Sequence, residues 1–356
     1  SIGDVTKALA DPQATVVAQI APAVAATIAA ELGLRNPVDA LSLVAGALRH
    51  IGFAAVYDTS FAADLTVMEE AHEFIQRLSA GGPFPMFTSC SPAWVRFVEL
   101  HRPEFIPNLS TCKSPQQMAA TLIKMRPENA SLRIFSVAIM PCTAKKHEAV
   151  EIGDLDAVLT TRELTRLLEN FGITLSADSP IQASLDEPFA EASGAGRLFG
   201  GSGGVLEAAL RTAAHMVGDS GQFSPTVLSP LRSDERLRTF SVTIGGRELH
   251  CGIVSGLGAA QSLLDQVEAG KTALDFVEVM SCPGGCIGGG GQPRTVSERA
   301  LQARRVKIHD ADKRARLHAS HENPAVVRLY EELLVTPGSK ESHRLLHRQY
   351  HCRDTR

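Results

Sequence analysis

Three short segments constrain this chain more than anything else in it. They are Thr88-Ser89-Cys90-Ser91-Pro92-Ala93-Trp94, Met140-Pro141-Cys142-Thr143-Ala144-Lys145-Lys146 and Met280-Ser281-Cys282-Pro283-Gly284-Gly285-Cys286, the last running into Gly288-Gly289-Gly290-Gly291. Each closes an apolar, β-rich run, so three cysteines fall at or just past strand ends. Such runs alternate with helical stretches along the chain: 15–20 before 21–32, 53–57 before 63–78, 85–89 before 94–100, 132–139, 157–159 before 162–170, and 276–280. Strand–helix alternation predicts an α/β fold with mixed, largely parallel sheets flanked by helices, and parallel sheets keep their ligand sites at the carboxyl ends of their strands. The expected architecture is a single unit of two lobes, 1–130 and 131–295, with the site in the cleft between them. Segment 296–356 packs on the lobes: 296–316 reads as a basic surface arm, and helices 325–334 and 340–350 are separated by Pro337-Gly338.

Soft thiolates hold iron, and glycine leaves the backbone open to a bulky inorganic group, so the three segments read together as a buried iron–sulfur centre. The Cys282-x3-Cys286 spacing is slightly wide for a zinc knuckle, and the plainer alternative is a glycine-rich turn with two buried thiols. Lys145 lies three residues past Cys142, where its ammonium can donate to an anionic ligand on a metal, whereas Lys146 reads as a solvated lysine. Cys112, Cys251 and Cys352 lack partner spacing and read as small buried hydrophobes. His343, His347 and His351 recur every fourth residue beside Arg344 and Arg348 and read as a solvated helix face. Gly200-Gly201-Ser202-Gly203-Gly204 precedes an apolar helix but puts Leu206 where a dinucleotide fingerprint needs its third glycine, so close backbone packing against a ligand is the better account.

With 356 residues, 44 % of them hydrophobic, the chain can bury a large core without disulfide staples. Its seven cysteines, an odd number, and the lack of a basic-then-apolar leader point to a reducing cytoplasm. A net charge of −4 and a pI near 6.3 leave no broad basic surface for nucleic acid. Apolar stretches 16–20 and 21–30 are broken by Gln19 and Pro22, too short for a membrane span. A start at Ser1 that enters ordered pattern at once reads as a domain of a longer chain.

Taken together, the three segments resemble the signature motifs of the catalytic domain of [FeFe]-hydrogenases, the iron hydrogenase large-subunit family. Supporting stretches are Gln19-Ile20-Ala21-Pro22-Ala23, Leu109-Ser110-Thr111-Cys112-Lys113-Ser114-Pro115-Gln116-Gln117-Met118, Phe199 to Gly204, and Ser320-His321-Glu322-Asn323-Pro324. The resemblance implies an H-cluster: a [4Fe–4S] cubane joined through a cysteine sulfur to a diiron subcluster carrying CO, CN and azadithiolate. It implies Cys142, Cys282 and Cys286 as cubane ligands, with Cys286 bridging to the diiron unit. Lys145 would bond a cyanide, while Pro22, Ala23, Gln116, Met140, Phe199 and Met280 would surround the diiron unit. Cys90 would hand protons to it, backed by Glu70, Ser110 and Glu73. The relay also makes sense from spacing, because Glu70 and Glu73 stand three apart on one helix and share a face. Further implications are reversible H2 oxidation, electron exchange with ferredoxin or another carrier, and maturation proteins for the diiron unit. No additional Cys-x2-Cys group is present to hold another cluster.

One residue departs from the pattern. The family has a second cysteine before the proline as fourth cubane ligand, and here that place holds Ser91. A serine alkoxide is a harder ligand that lowers a cluster's potential. Ser91 at the ligand position with Cys90 kept for protons is the favoured assignment; Cys90 as ligand, or a labile fourth iron, are the alternatives. A different class of function is an H2 sensor or an iron–sulfur assembly factor; the assembly factor would have no use for Lys145 or the glutamate pair, whereas the Ser91 departure points toward slow or sensory activity. A plain zinc protein is the third.

Overall fold

The structure is a computed structural model that describes residues 1–219, 231–233, 235–293 and 297–354. Its strands are β1 (Ala14–Ile20), β2 (Ala55–Asp58), β3 (Met86–Phe87), β4 (Arg133–Met140), β5 (Ala157–Thr160), β6 (Leu237–Ile244), β7 (Arg247–Ser255) and β8 (Phe276–Met280). The helices up to residue 170 are α1 (Ile2–Ala10), α2 (Pro22–Glu31), α3 (Pro37–His50), α4 (Thr59–Ala80), α5 (Pro92–His101), α6 (Pro115–Met125), α7 (Ala144–Ile152) and α8 (Thr161–Asn170). Beyond it come α9 (Gly194–Leu198), α10 (Gly204–Met216), α11 (Leu257–Glu268), α12 (Glu298–Arg314), α13 (Pro324–Leu329) and α14 (Lys340–Leu346).

Two sheets form, as strand–helix alternation requires. The first has the order β2-β1-β4-β5 and is parallel throughout. The second has the order β3-β8-β7-β6, parallel except for the β6–β7 hairpin, which turns at Gly245 and Gly246. Strands β1, β2, β5 and β8 are buried along most of their length, as parallel strands covered on both faces are, whereas the edge strand β6 alternates buried and exposed residues. Val16, Ala18 and Ile20 of β1 pack with α2 and α3, while Val17 packs with Phe61 and Leu65 of α4 and Met118 of α6. In the second sheet, Phe87 and Val277 meet Trp94 of α5 and Leu263 of α11, while Met86 and Phe276 meet Phe74 of α4 and Leu206 of α10. The 22 residues of α4 therefore span both cores. That helix begins where Asp58 accepts from Ser60 N and ends at Gly81, whose φ of +84° is a left-handed stop.

The lobe division near residue 130 does not follow the sheets. Strands β4 and β5 lie beyond 130 yet belong to the sheet of β1, β4 pairing with β1 and β5 with β4, and β3 lies before 130 yet joins β8. A parallel sheet accepts strands from distant parts of the chain once a crossover spans the gap, so sheet membership is not sequential. The basic arm is also corrected: from Glu298 it is helix α12, burying Arg304, Ile308, Ala311 and Asp312, while Val296 lies outside the described residues. The last helix stops at Leu346 instead of reaching Tyr350, because Cys112 and His347 form an antiparallel bridge flanked by Lys113 N to Leu346 O (2.7 Å) and Arg348 N to Thr111 O (2.8 Å).

Candidate functional site

The strand ends of the two sheets face a common cavity. Ala21, Pro22 and Ala23 follow β1, and Met140, Pro141, Cys142 and Lys145 follow β4. Cys90 follows β3, Cys286 follows β8, and Gln116 and Phe199 complete the wall. Prolines at the first turns of α2, α5 and α6 start each helix immediately after its loop, which keeps those loops short. Met280 sits behind the wall, packed with Phe199, Ala63, Cys90 and Cys286. Gly200 lines the cavity too, and sequence reasoning missed Thr59, Ala63 and Pro115, which do the same; small residues in helix first turns carry no signal by themselves.

Cys142, Cys282 and Cys286 are half-buried and free. Burial, then the nearby Cys142 and Cys282, push the Cys286 thiol up to about 12. The glycines beside them permit this approach. A Cβ on Gly288 would stand 2.3 Å from the Pro283 carbonyl oxygen, and one on Gly289 would stand 2.4 Å from that of Pro141, so only glycine lets the third segment fold against the second. The Gly200–Gly204 turn is held from below: Glu278 of β8, fully buried, accepts from Gly203 N (2.6 Å) and Leu206 N (2.9 Å), a carboxylate at a helix N-terminus.

Ser91 and Cys90 point to different surroundings. Cys90 lines the cavity beside Cys286, whereas the Ser91 hydroxyl shares a 2.6 Å hydrogen bond with that of Ser281, the neighbour of Cys282. Lys145 Nζ donates to the Cys90 carbonyl (3.0 Å) and to Glu148 Oε2 (3.0 Å). Glu148, which sequence reasoning missed, is a hub that also accepts from Gln116 Nε2 (3.0 Å) and Ser114 Oγ (2.9 Å). Its signal was the i, i+3 spacing from Lys145 on α7.

Behind Cys90, Glu70 is fully buried. Burial, then the neighbouring Glu73 charge, push its carboxyl up to about 8, and Ser89 N approaches Oε1 at 3.4 Å. Ser110 donates to Glu73 Oε2 at 3.1 Å, and Glu70 Oε2 is buried without a hydrogen-bond partner. Glu73 then meets Arg77 at 2.6 Å, an i, i+4 partner that the sequence reading passed over. His347 is not on a solvated face: its side chain is 5 % exposed and bonded to Thr111 Oγ1 and Glu69.

Free thiols from three strand ends around one cavity, with a lysine and buried acids beside them, define the class: an α/β protein built around a cysteine-lined cavity at its strand ends. The comparisons narrow it. Residues 14–290 match the family model "Iron only hydrogenase large subunit, C-terminal domain", and residues 298–353 match "Iron hydrogenase small subunit". The chain belongs to the iron-only hydrogenase large-subunit family. It is 40 % identical to the "NADP-reducing hydrogenase subunit HndD" of Solidesulfovibrio fructosivorans, over 98 % of this chain and 62 % of that protein. It also matches the bovine (Bos taurus) "Cytosolic iron-sulfur assembly component 3" at 31 % identity, over 96 % of this chain and 75 % of that one. Among solved structures it resembles a variant of [FeFe]-hydrogenase HydA1 from Chlamydomonas reinhardtii, with a TM-score of 0.85, 35 % identity and 99 % of each chain covered. The chain thus spans about three fifths of the length of HndD. Among the described residues no helix is long and apolar enough to cross a membrane.

The residues present fit the group that this family implies. Soft sulfur donors converge, the glycine cradle leaves no room for a Cβ, and the buried Gln116 Oε1 faces the cavity without a protein partner.

Proposed function

We propose that this chain interconverts H2 with protons and electrons at an H-cluster. Cys142, Cys282 and Cys286 hold the [4Fe–4S] cubane, Ser91 takes the fourth position, and the diiron subcluster with its CO, CN and azadithiolate sits in the cavity. When bound, the cluster supplies the open iron site and the electron exchange that H2 chemistry needs. The chain's own residues supply the rest. Lys145 keeps an ammonium at the cavity wall, oriented by Glu148, and Pro22, Ala23, Met140, Phe199 and Met280 keep water away from it. Cys90 moves the proton at the cavity side. Glu70 holds that proton at neutral pH because burial keeps its carboxyl protonated, and Ser110 and Glu73 carry it toward Arg77 and the surface.

The observation that carries this reading is the pairing of one cavity-facing thiol with a buried acid, Glu70, and a second acid three residues on, Glu73, that the Ser110 hydroxyl holds. A scaffold for cluster assembly has no need of a proton route. Similarity to the assembly component favours a second reading, a cluster-holding protein without turnover. Electrons come from ferredoxin, another carrier, or iron–sulfur modules elsewhere in a longer chain. Maturation proteins deliver the diiron unit, and free cysteines suit a reducing cytoplasm.

The test is H2 evolution from reduced methyl viologen under strict anaerobiosis, after the cubane is rebuilt and a synthetic diiron complex is loaded. Robust turnover is expected. Its absence from a protein carrying the full iron complement would leave the assembly or sensor reading standing.

A further inference from the structure

The outer end of the acid line brings Glu73 together with two donors that hydrogen turnover leaves without a task. Glu73 on α4, Cys112 ahead of α6 and His347 just past α14 come from three separate elements, and one donor atom of each lies within 4.8 Å of the other two. Cys112 Sγ stands 3.9 Å from Glu73 Oε2. All are shielded: Cys112 is fully buried, and the Glu73 and His347 side chains are 12 % and 5 % exposed.

The imidazole is held as a ligand is held. His347 Nε2 lies 2.9 Å from Glu69 Oε2, and Glu69 is itself fixed by the Tyr330 hydroxyl at 2.6 Å and Gly338 N at 2.9 Å. A carboxylate on one ring nitrogen keeps the proton there and leaves the lone pair on the other. That other nitrogen, Nδ1, faces Thr111 Oγ1 at 2.7 Å, and the same hydroxyl reaches Glu73 Oε2 at 3.2 Å. The lone pair therefore lies on the Glu73 side. Sulfur, nitrogen and oxygen donors together suit a borderline ion such as Zn2+. Around zinc, donors bonded at roughly 2.0–2.3 Å stand about 3.3–3.7 Å apart, so the observed sulfur–oxygen separation closes with a shift of a few tenths of an ångström.

We propose that Glu73, Cys112 and His347 form a site for a divalent ion of the zinc class, and that filling it stalls proton passage by taking Glu73. On binding, the Cys112 S–H bond breaks, its proton leaves to solvent and the sulfur bonds the ion. Thr111 gives up its bond to Nδ1, water takes the fourth position, and no electrons move. The site stands on geometry alone; the stall rests on the hydrogen-turnover reading.

The test uses cubane-loaded protein, so that Cys142, Cys282 and Cys286 are occupied, equilibrated with zinc chloride and desalted. One zinc per chain with iron unchanged is expected, together with a zinc-edge spectrum showing a single sulfur at about 2.3 Å. Cys112→Ala and His347→Gln should each keep their iron and weaken zinc binding at least about tenfold. Zinc held equally by both variants, or without sulfur, overturns the site. In fully loaded protein, zinc should slow H2 evolution at least about tenfold in the parent and leave Cys112→Ala unaffected. Zinc bound without that slowing overturns the stall. A parent inactive even before zinc is added counts against hydrogen turnover, while the zinc count still decides the site.

Discussion

Glu70 is the residue whose chemistry is most altered by its place. Its carboxyl, pushed up to about 8, is neutral in the folded chain between the ordinary glutamate range and pH 8, where the unfolded chain has already ionised it. The folded state therefore binds a proton more tightly, and this group's contribution to stability falls as pH rises from near 4.5 to near 8. Glu70→Gln keeps the shape without the titration. It should flatten the fall in unfolding free energy over that window, by an amount bounded at roughly 5 kcal/mol, and lower H2 turnover at least about a hundredfold. An unchanged pH slope would mean that the carboxyl is ionised in place. Ser91 is the second residue to test. If its oxygen, paired with Ser281, is a cubane ligand, Ser91→Cys should raise the cluster's reduction potential and alter its EPR signal. An unaltered signal and potential would remove Ser91 from the ligand set.

At the scale of elements, α12 does more than cover the surface. Arg304, 2 % exposed, donates from Nη1 to the Ile287 carbonyl at 3.0 Å and lies 3.7 Å from Glu31 of α2. One side chain thus ties α12 to α2 and to the turn that carries Cys286. Arg304→Met retains the apolar stem but leaves the Ile287 carbonyl buried and unpaired, a loss of about 1–3 kcal/mol. The unfolding midpoint should fall accordingly, and chelators should strip iron from the cubane faster than from the parent. Equal stripping rates at an equal midpoint would show that the strap is idle.

At the scale of the molecule, the family match changes from large to small subunit between residues 290 and 298. The segment beyond that boundary is nonetheless deeply engaged. Asp312 pairs with Arg211 at 2.8 Å, Ser320 and Asn323 bond the buried Asp64 at 2.8 and 3.0 Å, and His347 bonds Glu69. Buried polar groups such as Asp64 are costly without their partners. If the chain is cut between 293 and 297, the two pieces made together should co-purify and hold iron, while the first piece alone should aggregate. A first piece that folds alone with the parent's midpoint and iron content would contradict this.

From sequence alone, the α/β class, the parallel strands and the convergence of the Cys90, Cys142 and Cys282–Cys286 segments were all legible. Each rests on a local rule: apolar period, strand length, and glycine or proline at a strand end. Glu70 and Glu73 were legible too, because helical spacing puts them on one face. What stayed hidden depends on contacts between residues far apart in the chain. The sequence could not reveal that β4 and β5 join the sheet of β1 across residue 130, or that a basic stretch becomes a buried helix through Arg304 and Asp312. Nor could it reveal that His347 ends its helix to bridge Cys112, or that Ser91 meets Ser281. Local pattern determines which elements form and which faces are apolar, but a buried polar side chain is placed by whichever distant partner satisfies it, and only the packed structure decides that partner.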